Sequence, residues 1–219
     1  MLTGHLSKRK LSEKGVPVSD ETDTSPFFTS PDNVRFVLKE TSFRQVYEVT
    51  EYRYDDLRPC DRVIDIGANV GAFCIRASRN SQYVVAVEPL TASLLRENIR
   101  LNDVPVRVIE GALGDGQTKK IAWDDYEVTS STFPLARLIE MAGGCDFLKC
   151  DCEGAEWQID PADLAGTRRI EMELHIPPIG GLPSPGLLDY IDRHYRYTIE
   201  RKPVHSALGV MGVLHAERK

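Results

Sequence analysis

The 219-residue sequence lacks long apolar runs and an excess of basic residues. No apolar stretch approaches the roughly 18 to 20 residues that cross a bilayer, so we expect no membrane contact. Lys8, Arg9 and Lys10 are not followed by an apolar run, so they do not form a secretory signal, and we expect a cytoplasmic protein. The net charge of −6 and the pI of about 5.4 argue against binding to the phosphate backbone of nucleic acids.

The sequence also lacks a cysteine pattern typical of disulfides or zinc. Its five cysteines are an odd number, and without an export signal they favour free thiols. Cys150 and Cys152 could ligate zinc together with Cys145 and His175. Their spacing is not the usual C-x₂-C, however, and the strand around them is expected to be buried. We therefore expect no metal on these cysteines.

One glycine is missing from an otherwise recognisable turn. Residues 63–71 read VIDIGANVG, and Glu88 follows Gly67 by 21 positions at the end of a second apolar run. The dinucleotide-binding pattern requires a glycine where this chain has Asn69, because a pyrophosphate needs bare backbone there. The turn therefore favours S-adenosyl-L-methionine, which carries no phosphate, over a nicotinamide cofactor. A purely structural reading stays open, since such glycines also let a helix pack closely on a sheet.

The chain divides into three parts by composition. Residues 1–25 are polar and charged, which predicts a mobile arm. Residues 26–58 are rich in aromatic and β-branched side chains, and they predict either a lid over the site or an edge strand and helix that cover the sheet. Residues 59–219 predict a single cofactor-binding domain.

Strand and helix patterns alternate after residue 60. Alternation with short connections predicts a doubly wound α/β fold, with a mostly parallel sheet and helices on both faces. A hairpin is expected as an insertion at 119–133, and the two last strands are expected to pair antiparallel at the end of the sheet. The predicted strands are 63–67, 83–88, 106–113, 146–151, 169–175, 197–201 and 207–216, and the predicted helices are 71–79, 91–102 and 134–142.

Three stretches resemble the FkbM-type family of S-adenosylmethionine-dependent methyltransferases. Residues 63–73 (VIDIGANVGAF) are similar to its first motif, 85–89 (VAVEP) to its acid-ended second strand, and 147–156 (FLKCDCEGAE) to its LKxDxEG signature. With ALGD at 112–115, the resemblance spans about residues 60–160. It implies the Rossmann-like class I methyltransferase fold. Cys150 and Cys152 stand where the family has aliphatic residues, and the chain after 176 carries no resemblance.

The candidate cofactor-binding residues follow the turn and the strand ends. Glu88 is expected to accept hydrogen bonds from the ribose hydroxyls, since a carboxylate can accept both. The turn and the helix N-terminus that follows it are expected to face the methionine carboxylate. The resemblance implies that Asp65 orients the turn or the cofactor amino group. The full candidate set is Asp65, Gly67, Asn69, Gly71, Glu88, Ala112, Leu113 and Asp151.

The candidate catalytic residues are Asp151, Glu153 and His175. They end the fourth and fifth predicted strands, at the sheet edge where open α/β sheets place their sites. Asp151 could hold the cofactor amino group or an acceptor hydroxyl, and His175 or Glu153 could accept a proton. Alternatively, these groups form a structural ion-pair network. They could also offer oxygen ligands to magnesium, but we expect no metal and predict activity in the presence of a chelator.

These observations predict methyl transfer to an oxygen of a small-molecule or sugar-like acceptor. A nucleic-acid methyltransferase is the first rival, and the acidic composition disfavours it. A nicotinamide dehydrogenase and a non-catalytic cofactor-binding module are rivals of other classes. A dehydrogenase is distinguished from a methyltransferase by which cofactor, the nicotinamide or S-adenosylmethionine, raises the melting temperature. A binding module would bind S-adenosylmethionine without turnover.

Overall fold

The computed structural model describes residues 27–37, 46, 48–123, 126–201 and 209–219. The arm expected at 1–25 lies outside the described residues. The strands are β1 (Phe27–Thr29), β2 (Arg35–Val37), β3 (Arg62–Ile66), β4 (Tyr83–Val87), β5 (Val106–Ile109), β6 (Ala112–Leu113), β7 (Thr118–Trp123), β8 (Tyr126–Phe133), β9 (Phe147–Cys150), β10 (Arg169–His175), β11 (Tyr195–Glu200) and β12 (Val210–Arg218). The α-helices are α1 (Ala72–Ala77), α2 (Ala92–Asn102), α3 (Leu135–Ala142) and α4 (Pro185–His194), and 3₁₀ helices cover Glu48–Glu51, Ala155–Gln158 and Pro161–Gly166.

The central sheet has seven strands within the described residues, in the order β11-β12-β10-β9-β3-β4-β5. Strand β12 is antiparallel to both of its neighbours, while β10, β9, β3, β4 and β5 run parallel to one another. This is the expected doubly wound, Rossmann-like arrangement of a mostly parallel sheet with an antiparallel C-terminal strand. The strand order reverses between β3 and β9, and ligands of open α/β sheets bind at such a switch point.

Apolar side chains cover the sheet on both faces. Along β3, Val63 packs on the face of α1 and α2, whereas Ile64 packs on the face of α3 and α4. The period of two in the strand therefore supplies both core layers. No helix of the described residues is long and apolar enough to span a membrane.

The predicted third strand is divided in the structure. Strand β5 ends at Ile109, and Ala112–Leu113 leaves the central sheet to pair with β8. Gly111 permits this change of partner, because a Cβ there would lie 2.6 Å from the ring of Phe133. The insertion expected at 119–133 is confirmed as the β7–β8 hairpin. Helix α4 was not predicted.

The segment before the domain packs on α1 and α2. Strands β1 and β2 form their own two-stranded sheet, and the backbone N–H groups of Arg35 and Val37 donate to the side chains of Asn102 and Asn98 on α2. Asp32 pairs with the buried Arg76 of α1 at 2.7 Å. The segment is thus held on the helices, and its end brings Tyr52 to the carboxyl edge of the sheet.

Candidate active site

A cavity of about 720 Å³ lies at the carboxyl ends of β3, β4 and β9. This volume is in the range of small-molecule and cofactor sites. Its walls come from the turn after β3, the end of β4, the β7–β8 hairpin and the residues after β9. The cavity therefore occupies the switch point of the sheet.

The turn after β3 requires glycine at position 67. Gly67 has a φ of 71°, and a Cβ there would lie 1.6 Å from the carbonyl oxygen of Asp151. This contact joins the ends of β3 and β9 at the cavity floor. Asn69 also adopts a left-handed φ, of 49°, and lines the cavity with Gly67. Gly71, at a φ of 93°, precedes α1 and does not line the cavity.

Glu88 joins two turns through its carboxylate. Oε2 accepts a hydrogen bond of 2.8 Å from the N–H of Asn69, and Oε1 accepts bonds from the N–H groups of Leu90 at 2.7 Å and Thr91 at 3.0 Å. The side chain is buried yet lines the cavity. Since each carboxylate oxygen has two lone pairs, Oε2 retains acceptor capacity beyond the bond from Asn69.

Ionisable side chains form a row across four neighbouring strands. Asp65, Lys149, Glu171 and His215 are register partners on β3, β9, β10 and β12. All four side chains are buried on the face covered by α1. The sequence predicted that Asp65 belongs to the site, but Asp65 is fully buried and does not line the cavity.

Lys149 connects this row to the cavity. Its Nζ lies 3.2 Å from Asp65 Oδ1 and donates to the carbonyl oxygen of Gly67 at 2.9 Å. Burial lowers the pKa of Lys149, but Asp65 and Asp151 outweigh it and hold that pKa above its usual value. Burial raises the pKa of Asp65, opposed by Lys149. The ammonium group therefore stabilises the turn and its neighbouring carboxylates.

Asp151 is held from two sides at the cavity wall. The hydroxyl of Tyr52 donates to its Oδ2 at 2.8 Å, and Nε2 of His175 lies 3.8 Å from its Oδ1. Burial raises the pKa of Asp151, but Lys149, His175 and Tyr52 together lower it below its usual value. Asp151 is thus an ionised acceptor that faces the cavity.

Glu153 and Glu173 line the cavity beside Asp151. Glu153 has a left-handed φ of 55°, a conformation that is unfavourable for a non-glycine residue. Burial raises the pKa of Glu173 to about 7. Sequence reasoning missed Glu173 as a site residue, although it shares a strand face with His175 two positions later.

His175 lies behind these acids, and it does not line the cavity. Its Nε2 is 3.2 Å from Glu173 and 3.3 Å from Glu153, and its Nδ1 is 3.3 Å from Glu156. Burial lowers the pKa of His175, but Glu156 and Glu173 outweigh it and raise the pKa to about 11. An imidazolium cannot accept a proton, so these surroundings do not support the expected role as a base near neutral pH.

The structure brings most sequence-predicted candidates to one cavity. Those on its wall are Gly67, Asn69, Glu88, Ala112, Leu113, Asp151 and Glu153, whereas Asp65, Gly71 and His175 lie just outside. Tyr52 and Trp123 also line the cavity; Tyr52 belongs to the segment that was one candidate for a lid, but sequence reasoning singled out neither residue. Their aromatic character was the available signal, but their distance in sequence from the strand ends concealed their position.

One group of side chains in the described part of the chain has the donors of a metal site. Asp151, Glu173 and His175 each offer one ligand atom, and these atoms lie within 4.8 Å of one another. None of the free cysteines belongs to this group of ligands. The sulfur atoms of Cys150 and Cys152 lie 3.4 Å apart.

Comparison with solved structures shows what the fold is similar to. M. jannaschii TYW2 in complex with AdoMet has a TM-score of 0.54 and 15% identity, over 95% of this chain and 93% of that chain. P. horikoshii TYW2 in complex with MeSAdo has a TM-score of 0.53 and 15% identity, over 88% and 70%. Monomeric WbdD has a TM-score of 0.51 and 14% identity, over 83% of this chain and 42% of that chain.

No family model and no curated protein matches this sequence. At identities of 14% to 15%, the solved structures establish the fold alone. The chain therefore has the Rossmann-like fold of class I methyltransferases, and its chemistry has to be inferred from its own cavity.

Proposed function

We propose that this protein is an S-adenosylmethionine-dependent methyltransferase that acts on a hydroxyl of a small-molecule or sugar-like acceptor. The observation that carries the proposal is the meeting of the Gly67 turn and Glu88 in one cavity at the switch point of the sheet. Glu88 would accept from the ribose hydroxyls, the turn would face the methionine part, and Ala112 and Leu113 would lie beside the adenine. The AdoMet and MeSAdo complexes of the TYW2 structures support this choice of cofactor.

The acceptor would bind at the acidic side of the cavity. When bound, the cofactor supplies an activated methyl group, and the protein has to align an oxygen with it and exclude water. Tyr52 and Trp123 line this side with Asp151 and Glu153. Asp151 would orient the acceptor, and Glu153 would take up the hydroxyl proton, while His175 positions both acids. Asp151 and Glu153 both lie in the stretch 147–156 that resembles the FkbM-type signature. Membership of that family is therefore part of the proposal.

Calorimetry and methyl-transfer assays test this function. S-adenosylmethionine should bind with one site per chain and raise the melting temperature, whereas NAD should do neither. Transfer of a radiolabelled methyl group should be found with hydroxylated small molecules and not with RNA. Binding of NAD alone would make the protein a dehydrogenase candidate, and binding of S-adenosylmethionine with turnover only on RNA would replace the acceptor class.

A further inference from the structure

We propose that Asp151, Glu173 and His175 bind a divalent cation at the acceptor side of the cavity. The ligand atoms lie within 4.8 Å of one another. Metal–oxygen distances of about 2.1 to 2.4 Å place opposite ligands about 4.2 to 4.8 Å apart, so the three donors fit one coordination sphere. Glu153, 3.3 Å from Nε2 of His175, is close enough to add a fourth.

A buried carboxylate lies behind the imidazole, at ion-pair distance from its second nitrogen. Nδ1 of His175 faces Oε1 of the fully buried Glu156 at 3.3 Å. Glu156 is fixed in turn, because it accepts hydrogen bonds from the backbone N–H groups of His175 and Gly154. A carboxylate that holds one imidazole nitrogen and directs the other toward a ligand is the usual outer shell of a metal-bound histidine. This arrangement is independent of the acids on the cavity wall.

The charges around His175 also favour a cation. Four carboxylates, those of Asp151, Glu153, Glu156 and Glu173, surround a single imidazole within 3.8 Å. Lys149 is 3.9 Å from Asp151 but lies closer to Asp65, at 3.2 Å. Partly buried negative charges are unfavourable unless they are paired. A divalent cation that replaces the proton on Nε2 of His175, with that proton released to solvent, would balance this excess.

The donor set and its position define the kind of cation. Two carboxylates with one imidazole mix hard oxygen and borderline nitrogen ligands, which suits Mn²⁺ among the common divalent ions and allows Mg²⁺. Asp151 and Glu173 line the cavity, so the open coordination positions would face the acceptor. The cation would then attract an acceptor hydroxyl and favour its deprotonation. This last role rests on the proposed function and replaces the expectation from the sequence that a chelator leaves activity intact, whereas cation binding itself does not rest on that function.

Binding of Mn²⁺ to the full chain tests the proposal by electron paramagnetic resonance, without cofactor or acceptor. One Mn²⁺ should bind per chain. Asp151→Asn and Glu173→Gln should each weaken binding at least about 10-fold, and Glu156→Gln should weaken it about 10- to 100-fold. Glu140→Gln is the matched control, because this acid on α3 is 70% exposed and does not line the cavity, and the affinity of this variant should equal wild type. Thermal melting verifies that each variant is folded.

Pulsed resonance on the wild-type protein tests the histidine without any mutation. Mn²⁺ should show a nitrogen coupling that changes when the protein is labelled with ¹⁵N-histidine. Absence of binding at millimolar Mn²⁺, equal binding by Asp151→Asn and Glu173→Gln, or a spectrum without histidine nitrogen would each overturn the site. If Mn²⁺ binds while S-adenosylmethionine does not, the proposed function fails and the cation site stands.

Discussion

The hydroxyl of Tyr52 donates a hydrogen bond of 2.8 Å to Asp151, which lies 99 positions later in the chain. The ring of Tyr52 also lies 5.2 Å from Nζ of Lys149, within range of a cation–π contact. One side chain of the N-terminal segment thus contacts both members of the Lys149–Asp151 pair. This contact makes the end of the segment a part of the site, and it supports the proposal that the described part of residues 26–58 acts as a cover for the cavity.

Tyr52→Phe should lower turnover while the protein stays folded. The substitution removes one hydrogen bond to an ionised carboxylate, which is worth about 1.5 to 3 kcal/mol, but keeps the ring over Lys149. We expect a decrease of about 10-fold or more in methyl-transfer rate, measured under saturating cofactor. Tyr52→Ala should add a loss of thermal stability, because it also removes the buried ring. Wild-type turnover in Tyr52→Phe would show that the hydrogen bond does not orient Asp151 for catalysis.

Glu88→Gln should weaken S-adenosylmethionine binding. The change removes a charged acceptor of the proposed ribose hydrogen bonds, a loss of about 1.5 to 3 kcal/mol, or about 10- to 150-fold in affinity. Titration calorimetry measures the affinity. Because Glu88 also accepts three backbone hydrogen bonds, the melting temperature should decrease as well. Glu110→Gln, at an exposed acid after β5, is the control. Equal affinities in Glu88→Gln and wild type would remove Glu88 from the cofactor site.

Gly67→Ala should destabilise the protein strongly. A Cβ at this position would lie 1.6 Å from the carbonyl oxygen of Asp151, so β3 and β9 would have to separate at their ends. We expect a decrease of at least about 3 kcal/mol in the free energy of unfolding, measured by urea denaturation. Gly166→Ala provides the comparison, since no atom lies within 4 Å of its added Cβ. Similar stabilities of the two variants would contradict the close approach at the switch point.

Asp32→Asn should reduce stability at neutral pH and lose its effect in acid. Burial raises the pKa of Asp32, but hydrogen bonds from Arg76 and Ser30 outweigh it and lower the pKa to about 2 from 3.8. A lowered folded-state pKa stabilises the fold above the unfolded value, and that contribution disappears as the pH falls from about 4 to 2. Since Asp32 is 42% exposed, we expect a loss of about 1 kcal/mol at pH 7.

Urea denaturation of Asp32→Asn at pH 7 and pH 3 gives the measurement. Asp189→Asn is the control, because Asp189 pairs with the exposed Arg193 at 3.9 Å, whereas Arg76 is buried. A stability difference that stays constant between the two pH values would rule out the charge of Asp32 as its cause.

Glu153→Gln should lower turnover far more than it weakens cofactor binding. Glu153 lines the cavity, and proton removal by a positioned group is worth about 10²- to 10⁴-fold in rate. Asp151→Asn should lower both turnover and cofactor affinity, because Asp151 contacts the Gly67 turn and also lies beside Glu153 and Glu173. His175→Gln should lower turnover through the displacement of Asp151 and Glu153. Wild-type rates in all three variants would assign proton removal to solvent.

Local patterns in the sequence determined the framework of the site. The alternation of strand and helix patterns predicted a mostly parallel sheet with helices on both faces, and the bounds of β10 at 169–175 were predicted to the residue. The Gly67 turn and Glu88 were also recognisable, because a turn and a strand end depend on residues close in sequence. The division of the strand predicted at 106–113 was not recognisable. It depends on the close contact of Gly111 with the ring of Phe133, which lies 22 positions later.

Only the tertiary structure decided what His175 and Glu173 face. Period two places both on one face of β10, but it does not tell which of them reaches the cavity. The loop after β10 packs on His175, since a Cβ on Gly180 would lie 2.7 Å from the Cβ of His175. Glu173 is left on the cavity wall, and His175 is enclosed by four acids. Burial and charge balance depend on contacts between distant segments, and no local periodicity encodes them.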